Sequence, residues 1–201
     1  MAARWTSSRR RCRPAPPSNR CTRAVSYTHL GLQEGVDGQW ANVENVYQRR
    51  ADLIPNLVET VKGYAEHERE TLEAVVTARA KATQVQTELT PEAMNDPATM
   101  QKFQAAQAEL GSALGRLMVV VEKYPDLKAN QGFLDLQAQL EGTENRITVE
   151  RMRFNEAAAA YNTARQQFPT VFVASMFGDQ FDVAPYFEAQ SGAEQAPTVQ
   201  F

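Results

Sequence analysis

Beyond residue 33 the sequence contains no cysteine and one histidine, His67. Without thiols that stretch can form neither a disulfide-stapled fold nor a thiolate metal site. A carboxylate-bridged di-iron bundle needs Glu-x-x-His on facing helices. Here the order is reversed, with His67 ahead of Glu70, so no metal and no cofactor is expected. Nucleophilic catalysis lacks a thiol, a second histidine and a glycine-rich elbow. A phosphate-cradling glycine loop is missing too. Gly111 and Gly115 fall inside a helical pattern, where they predict close helix approach.

Acidic residues are absent from residues 1–33, which instead hold seven arginines and both cysteines, Cys12 and Cys21. That head also lacks an apolar run long enough for a signal peptide or a membrane span. A transit peptide, a basic arm, or residues foreign to the body that follows would each fit. The abrupt change of composition near Gly31 favours the third, and residues 1–33 are expected to be an unstructured head. Of 21 basic residues 14 remain beyond the head, against 24 acidic ones, a net charge of −10. A body that acidic argues against nucleic acid as a partner.

What is present is helical periodicity. Stepping by three and four from Trp40 gives Val43, Tyr47, Arg50, Ile54, Leu57, Val61, Tyr64, Glu68, Thr71, Val75, Ala78, Ala82 and Val85, eleven of the fourteen apolar. The frame does not slip at Pro55, which faces outward, so one helix is expected from about Asp37 to Val85, bent at the proline. The Ala51 carbonyl that loses its partner there is expected to face water. A second frame runs from Met100 to Tyr124 after an Asp96 cap and Pro97. A third runs from Phe133 to Phe168, starting near Asp126 or Asn130 and ended by Pro169. The stretch 169–178 predicts a short fourth helix. Short connections make successive helices antiparallel. The fold expected is all-α: an elongated antiparallel helical bundle with three long helices and a short C-terminal one. It occupies residues 34–187, and 188–201 read as a flexible tail.

The motifs RRxDLIPNLVxxVKxY, YPxLKAN, ExxI and FNxxxxxYN followed by FP stand in order between Gln33 and Pro169. On them the chain resembles the LemA family, with Phe154 where members usually carry Tyr and a weaker continuation through PYFEA. The resemblance implies a bundle held at a bacterial membrane by an N-terminal spanning helix, whose place the basic head takes here. It implies no agreed biochemical activity and does not say which side of the membrane the bundle faces.

Several polar residues stand out. Arg49, Arg50, Asp52 and Asn56 surround the proline bend, a candidate partner-docking patch. Arg50, Glu68, Gln107, Thr143 and Glu150 fall at core-type positions, where long polar side chains fix helix register; Arg50 and Glu150 make a candidate buried pair, the alternative being a polar pocket between helices. Asn155 and Asn162, seven apart beside Phe154 and Tyr161, predict interhelical hydrogen bonds. The function read from all this is a non-enzymatic interaction or scaffold module with protein partners. Two alternatives stand beside it: a lipid- or membrane-surface-binding module, and an enzyme with an unrecognised site between helices. Arg146, Arg151, Arg153 and Arg165 interspersed with Glu141, Glu144, Glu150 and Glu156 make a mixed face rather than the basic one a membrane surface asks for.

Overall fold

Helix α1 (Asn19–Lys62) passes through Pro55 without a break. The computed structural model describes residues 19–90, 93, 96–167 and 183–187, with side chains from residue 30 onward. Pro55 is exposed, as its outward register demands. The Ala51 carbonyl, which the proline leaves without an intrahelical donor, does not go to water: the Arg79 Nε–H donates to it at 2.7 Å from the neighbouring helix. At its other end α1 begins at Asn19, inside the head that the sequence reading takes as unstructured. No proline intervenes between Pro17 and Pro55, so nothing in that stretch stops a helix propagating backward from its packed part.

The first frame, however, covers two helices. α1 ends at Lys62, Gly63 opens a turn over residues 63–68, and α2 (Arg69–Glu88) returns antiparallel. The hairpin is fixed along its length by Arg79 on Ala51 and by Gln86 Nε2 donating to the Glu44 carbonyl at 3.4 Å. An unbroken frame does not prove an unbroken helix, because a connection about one heptad long keeps the count in phase. Tyr64 and Glu68, counted as core positions, lie in the turn instead. Asn130 Nδ2 donates to the Tyr64 hydroxyl at 3.0 Å, and Tyr124 donates to Glu68 at 3.3 Å.

α3 (Pro97–Val121) starts as the cap predicts, with the Asp96 carboxylate accepting from the Ala98 and Thr99 amides at 3.2 Å each. A single turn, α4 (Pro125–Lys128), leads to α5 (Gln131–Gln166), capped by Asn130 accepting from the Phe133 amide at 3.0 Å. Among the described residues there is no strand. The predicted fourth helix at 169–178 and the tail 188–201 lie outside them. The result is an all-α antiparallel bundle in which α1 packs chiefly on α5, and α2 packs on both α3 and α1.

Two apolar clusters fill it. Near the α1–α2 turn, Ile54, Leu57 and Val61 meet Val75, Leu110, Leu117 and Phe133. Toward the other end, Trp40, Val43 and Tyr47 meet Met100, Phe103, Ile147 and Phe154. Leu57 and Leu117 therefore share a core that Phe154 does not belong to. Arg50 and Gln107, both buried, stand where the first frame and the second turn polar between the two clusters.

Candidate functional site

That polar layer opens into a cavity of about 310 Å³ between α1, α3 and α5. From α1 come Tyr47 and Arg50, and from α5 Glu144 and Arg151. α3 supplies Gln104, Gln107, Gly111 and Ser112. Arg50 is 6% exposed, and its Nη1 meets the Glu144 carboxylate at 3.2 Å. Its other end group needs the space at Gly111, since a Cβ there would stand 3.2 Å from Nη2. Gly111 thus makes room for a guanidinium rather than for a helix backbone. Nothing lies within 4 Å of such a Cβ at Gly115.

Gln107 is 7% exposed and lines the same cavity, and no hydrogen bond to its side chain exists among the described residues. Tyr47 is buried beside it, and burial pushes its hydroxyl up from the usual phenol range, against the pull of the nearby Arg151 and Arg50 and of a hydrogen bond from Arg151. The polar residues of the frames are therefore not all solvated or paired into the core: two of them wall a pocket.

Arg50 pairs with Glu144 and not with Glu150. Glu150 instead accepts from Arg153 Nη1 at 2.8 Å on its own helix, and its second carboxylate oxygen is buried without a partner. Burial of Arg50 also removes it from the docking patch. Arg49, Asp52 and Asn56 remain exposed around the bend, with Asp52 accepting from Gln48 at 2.9 Å. His67 is exposed on the α1–α2 turn. Among the described residues no group of three or more His, Cys, Asp or Glu is disposed to hold a metal ion.

Among the described residues Asn155 and Asn162 make no interhelical bonds. Both hold the extended segment 183–187 against α5. The Asn162 amide donates to the Ala184 carbonyl at 2.9 Å, and its oxygen accepts from the Ala184 amide at 3.0 Å. The same Nδ2 reaches the Tyr186 hydroxyl at 2.9 Å. Asn155 repeats the pattern on Phe187, donating to its carbonyl at 3.1 Å and accepting from its amide at 2.8 Å. A side-chain amide carries one acceptor and a donor group in the spacing of a backbone ladder, so each asparagine replaces one residue of a partner strand.

The clamp presses Phe187 into an aromatic cluster. Its ring stacks on Trp40 at 6.1 Å between centroids and meets Phe154 edge-on at 5.4 Å. Trp40 also packs edge-on against Phe103 at 5.6 Å. The Arg151 guanidinium sits 4.7 Å over the Phe187 ring, a cation–π contact. Arg151 therefore joins the clamp to the polar cavity. The sequence signals for the cavity were Gln107 at a core position and Gly111 inside a helix. No periodicity marked Phe187, because an isolated extended segment has none.

The sequence profile of the LemA family matches residues 39–201. The chain belongs to the LemA family. Among curated relatives it is similar to magnetosome protein MamQ of Magnetospirillum gryphiswaldense, 25% identical over 177 residues, covering 81% of this chain and 64% of that one. Magnetosome protein MamQ 2 of Paramagnetospirillum magneticum is 25% identical over 181 residues, 83% of this chain and 66% of its own. Protein LemA of Metamycoplasma hominis is 25% identical over 142 residues, 71% and 59% respectively. The chain thus spans between 59% and 66% of the length of these LemA-family relatives. In this LemA-family chain the FNxxxxxYN motif has a structural meaning: its two asparagines are the clamp and its two aromatics, Phe154 and Tyr161, are buried behind them.

Proposed function

We propose that this LemA-family bundle is a non-enzymatic interaction and scaffold module that works at a bacterial membrane. Membrane attachment in this reading rests on the family, through a spanning helix ahead of the bundle. Among the described residues no helix is long and apolar enough to cross a membrane. The observation that carries the reading is the asparagine clamp on α5, which grips an extended backbone through its amides and carbonyls and one aromatic side chain. In this structure the chain's own residues 183–187 fill the clamp, so a partner's extended segment would take their place, with an aromatic side chain where Phe187 sits, in the manner of strand addition. The exposed Arg49, Asp52 and Asn56 at the α1 bend make a second contact region in the proposal.

Affinity capture from bacterial membranes, followed by mass spectrometry, tests it. Proteins enriched on the wild-type chain and lost on Asn155→Ala/Asn162→Ala, or on Arg49→Ala/Asp52→Ala/Asn56→Ala, support the reading. The same protein set on all three baits, or none on any, overturns it.

The cavity favours a second reading, a small-molecule site between the helices. Burial pushes its Tyr47 hydroxyl up from the usual phenol range, and the Arg50 and Arg151 guanidinium groups supply donors without acceptors. Those are the attributes of a binding site more than of a proton-transfer site.

A further inference from the structure

The layer between the two apolar clusters places polar groups where the heptad pattern asks for hydrocarbon. Burying a guanidinium or a primary amide without full hydrogen bonding is costly. Arg50 is buried with one carboxylate contact, at a single Nη1. Gln107 is buried with no hydrogen-bond partner among the described residues, and it faces the cavity. Among the described residues neither side chain leaves a fully buried polar atom without a partner, so their remaining polar atoms open onto the cavity, where a ligand can take the place of solvent.

Charge gives the class of ligand. Two guanidinium groups, Arg50 and Arg151, line the cavity against one carboxylate, Glu144. Glu144 is 57% exposed in its side chain, a counter-ion at the rim that can turn to solvent. Its lining therefore holds more guanidinium than carboxylate groups, within a body that is strongly acidic as a whole. Guanidinium forks match the two oxygens of a carboxylate or a phosphoryl group. The Gln104 and Gln107 amides and the Ser112 hydroxyl add neutral donors around the same space. The volume of about 310 Å³ lies at the small end of ligand pockets, large enough for a compact organic acid or phosphate ester.

We propose that the cavity between α1, α3 and α5 binds a small-molecule oxyanion, a carboxylate or phosphoryl group, held between Arg50 and Arg151 and hydrogen-bonded by Gln107. Gly111 is a positioning residue for this site, because a Cβ there would stand 3.2 Å from Arg50 Nη2 and displace the guanidinium by a few tenths of an ångström. The inference is independent of the peptide-clamp reading, although Arg151 touches both features through the Tyr47 hydroxyl and the Phe187 ring.

The test follows the thermal midpoint of the full chain during titration with inorganic phosphate and, separately, with acetate, against chloride at equal ionic strength. The wild type should show a saturable rise of about 3–6 °C at ten times the dissociation constant. Arg50→Met should abolish the rise, whereas Arg49→Met, an exposed cation one position away, should keep it. Gln107→Met preserves volume and removes an unpartnered amide, so it should melt no lower than wild type without anion and bind about tenfold more weakly. A rise with phosphate alone identifies a phosphoryl ligand, a rise with acetate alone a carboxylate, and a rise with both supports the shared chemistry. The proposal is overturned by no saturable rise with either anion, or by a rise that Arg50→Met retains or Arg49→Met equally loses. If Arg50→Met fails to melt cooperatively, Gln107→Met decides: an unchanged affinity there overturns the proposal.

Discussion

Asn162→Ala removes three hydrogen bonds at once: two with the Ala184 backbone and one with the Tyr186 hydroxyl. At a net of about 1 kcal/mol each, the loss is about 2–4 kcal/mol. Asn155→Ala removes the two bonds to Phe187 and should cost ~1–3 kcal/mol on the same basis. The sum cannot be reached, because both asparagines hold one segment. Once residues 183–187 lift away, the backbone groups of Ala184 and Phe187 find water and a further deletion loses nothing. The double variant should therefore fall well short of additivity. Detachment also uncovers Trp40, whose ring Phe187 covers. Urea unfolding followed by circular dichroism gives the energies, and fluorescence in a Trp5→Phe background reports Trp40 alone. Emission in Asn162→Ala should be red-shifted under native conditions if the clamp holds Phe187 over Trp40. A cost under about 0.5 kcal/mol for Asn162→Ala, or single costs that add in the double variant while Trp40 emission stays unchanged, would rule out that hold.

Other expectations concern the frame of the bundle. Arg79→Met deprives the Ala51 carbonyl of its donor and should cost about 1–3 kcal/mol; in a Pro55→Ala background the intrahelical bond is restored, and denaturation midpoints should show that cost largely gone. Leu57→Ala, Leu117→Ala and Phe154→Ala should each cost ~2–5 kcal/mol in urea melts, while Gln48→Ala and Glu59→Ala cost almost nothing. Because Leu57 and Leu117 share a cluster and Phe154 lies in another, the first two should couple and Phe154 should add independently to either. The Asp96 carboxyl is held below the usual 3.8, first by the Thr99 hydroxyl and then by the Ala98 amide. Its folded-state value is depressed, so its stabilisation is complete above pH ~4 and is lost as pH falls through the folded value. An acid titration of the melting point should thus fall less steeply in Asp96→Ala.

Stepping by three and four identified the buried stripes of α1, α3 and α5, and Asp96 marked the start of α3, while α5 took Asn130 of the two starts offered, Asp126 and Asn130, because those features are set locally. The turn at residues 63–68 escaped for a physical reason. A stripe must face the core on both arms of a hairpin, and a seven-residue interval between Val61 and Glu68 keeps it in phase whether the chain turns or not. The partner of Arg50 escaped because it depends on how far α5 slides along α1. That register is a tertiary quantity, and it brings Glu144 opposite Arg50. The asparagine pair stood out by spacing, yet its partner is five residues of extended chain with no period to detect. In each case the intrinsic pattern was readable and the pairing between distant segments was not.

The Trp40–Phe187 stack also divides the molecule in time. The cluster beside the α1–α2 turn gathers much of its hydrocarbon from neighbouring helices, whereas the opposite cluster is closed by a residue from the far end of the sequence. Contacts that join remote parts of a chain carry the larger loop-closure penalty and form late. In stopped-flow refolding the helical signal should therefore recover first, and Trp40 emission should reach its native value last. A single rate shared by both signals would mean that the two halves assemble as one unit. If the lag is there, the last step of folding is the docking of Phe187 over Trp40, and it can be reversed without unwinding any of the four long helices.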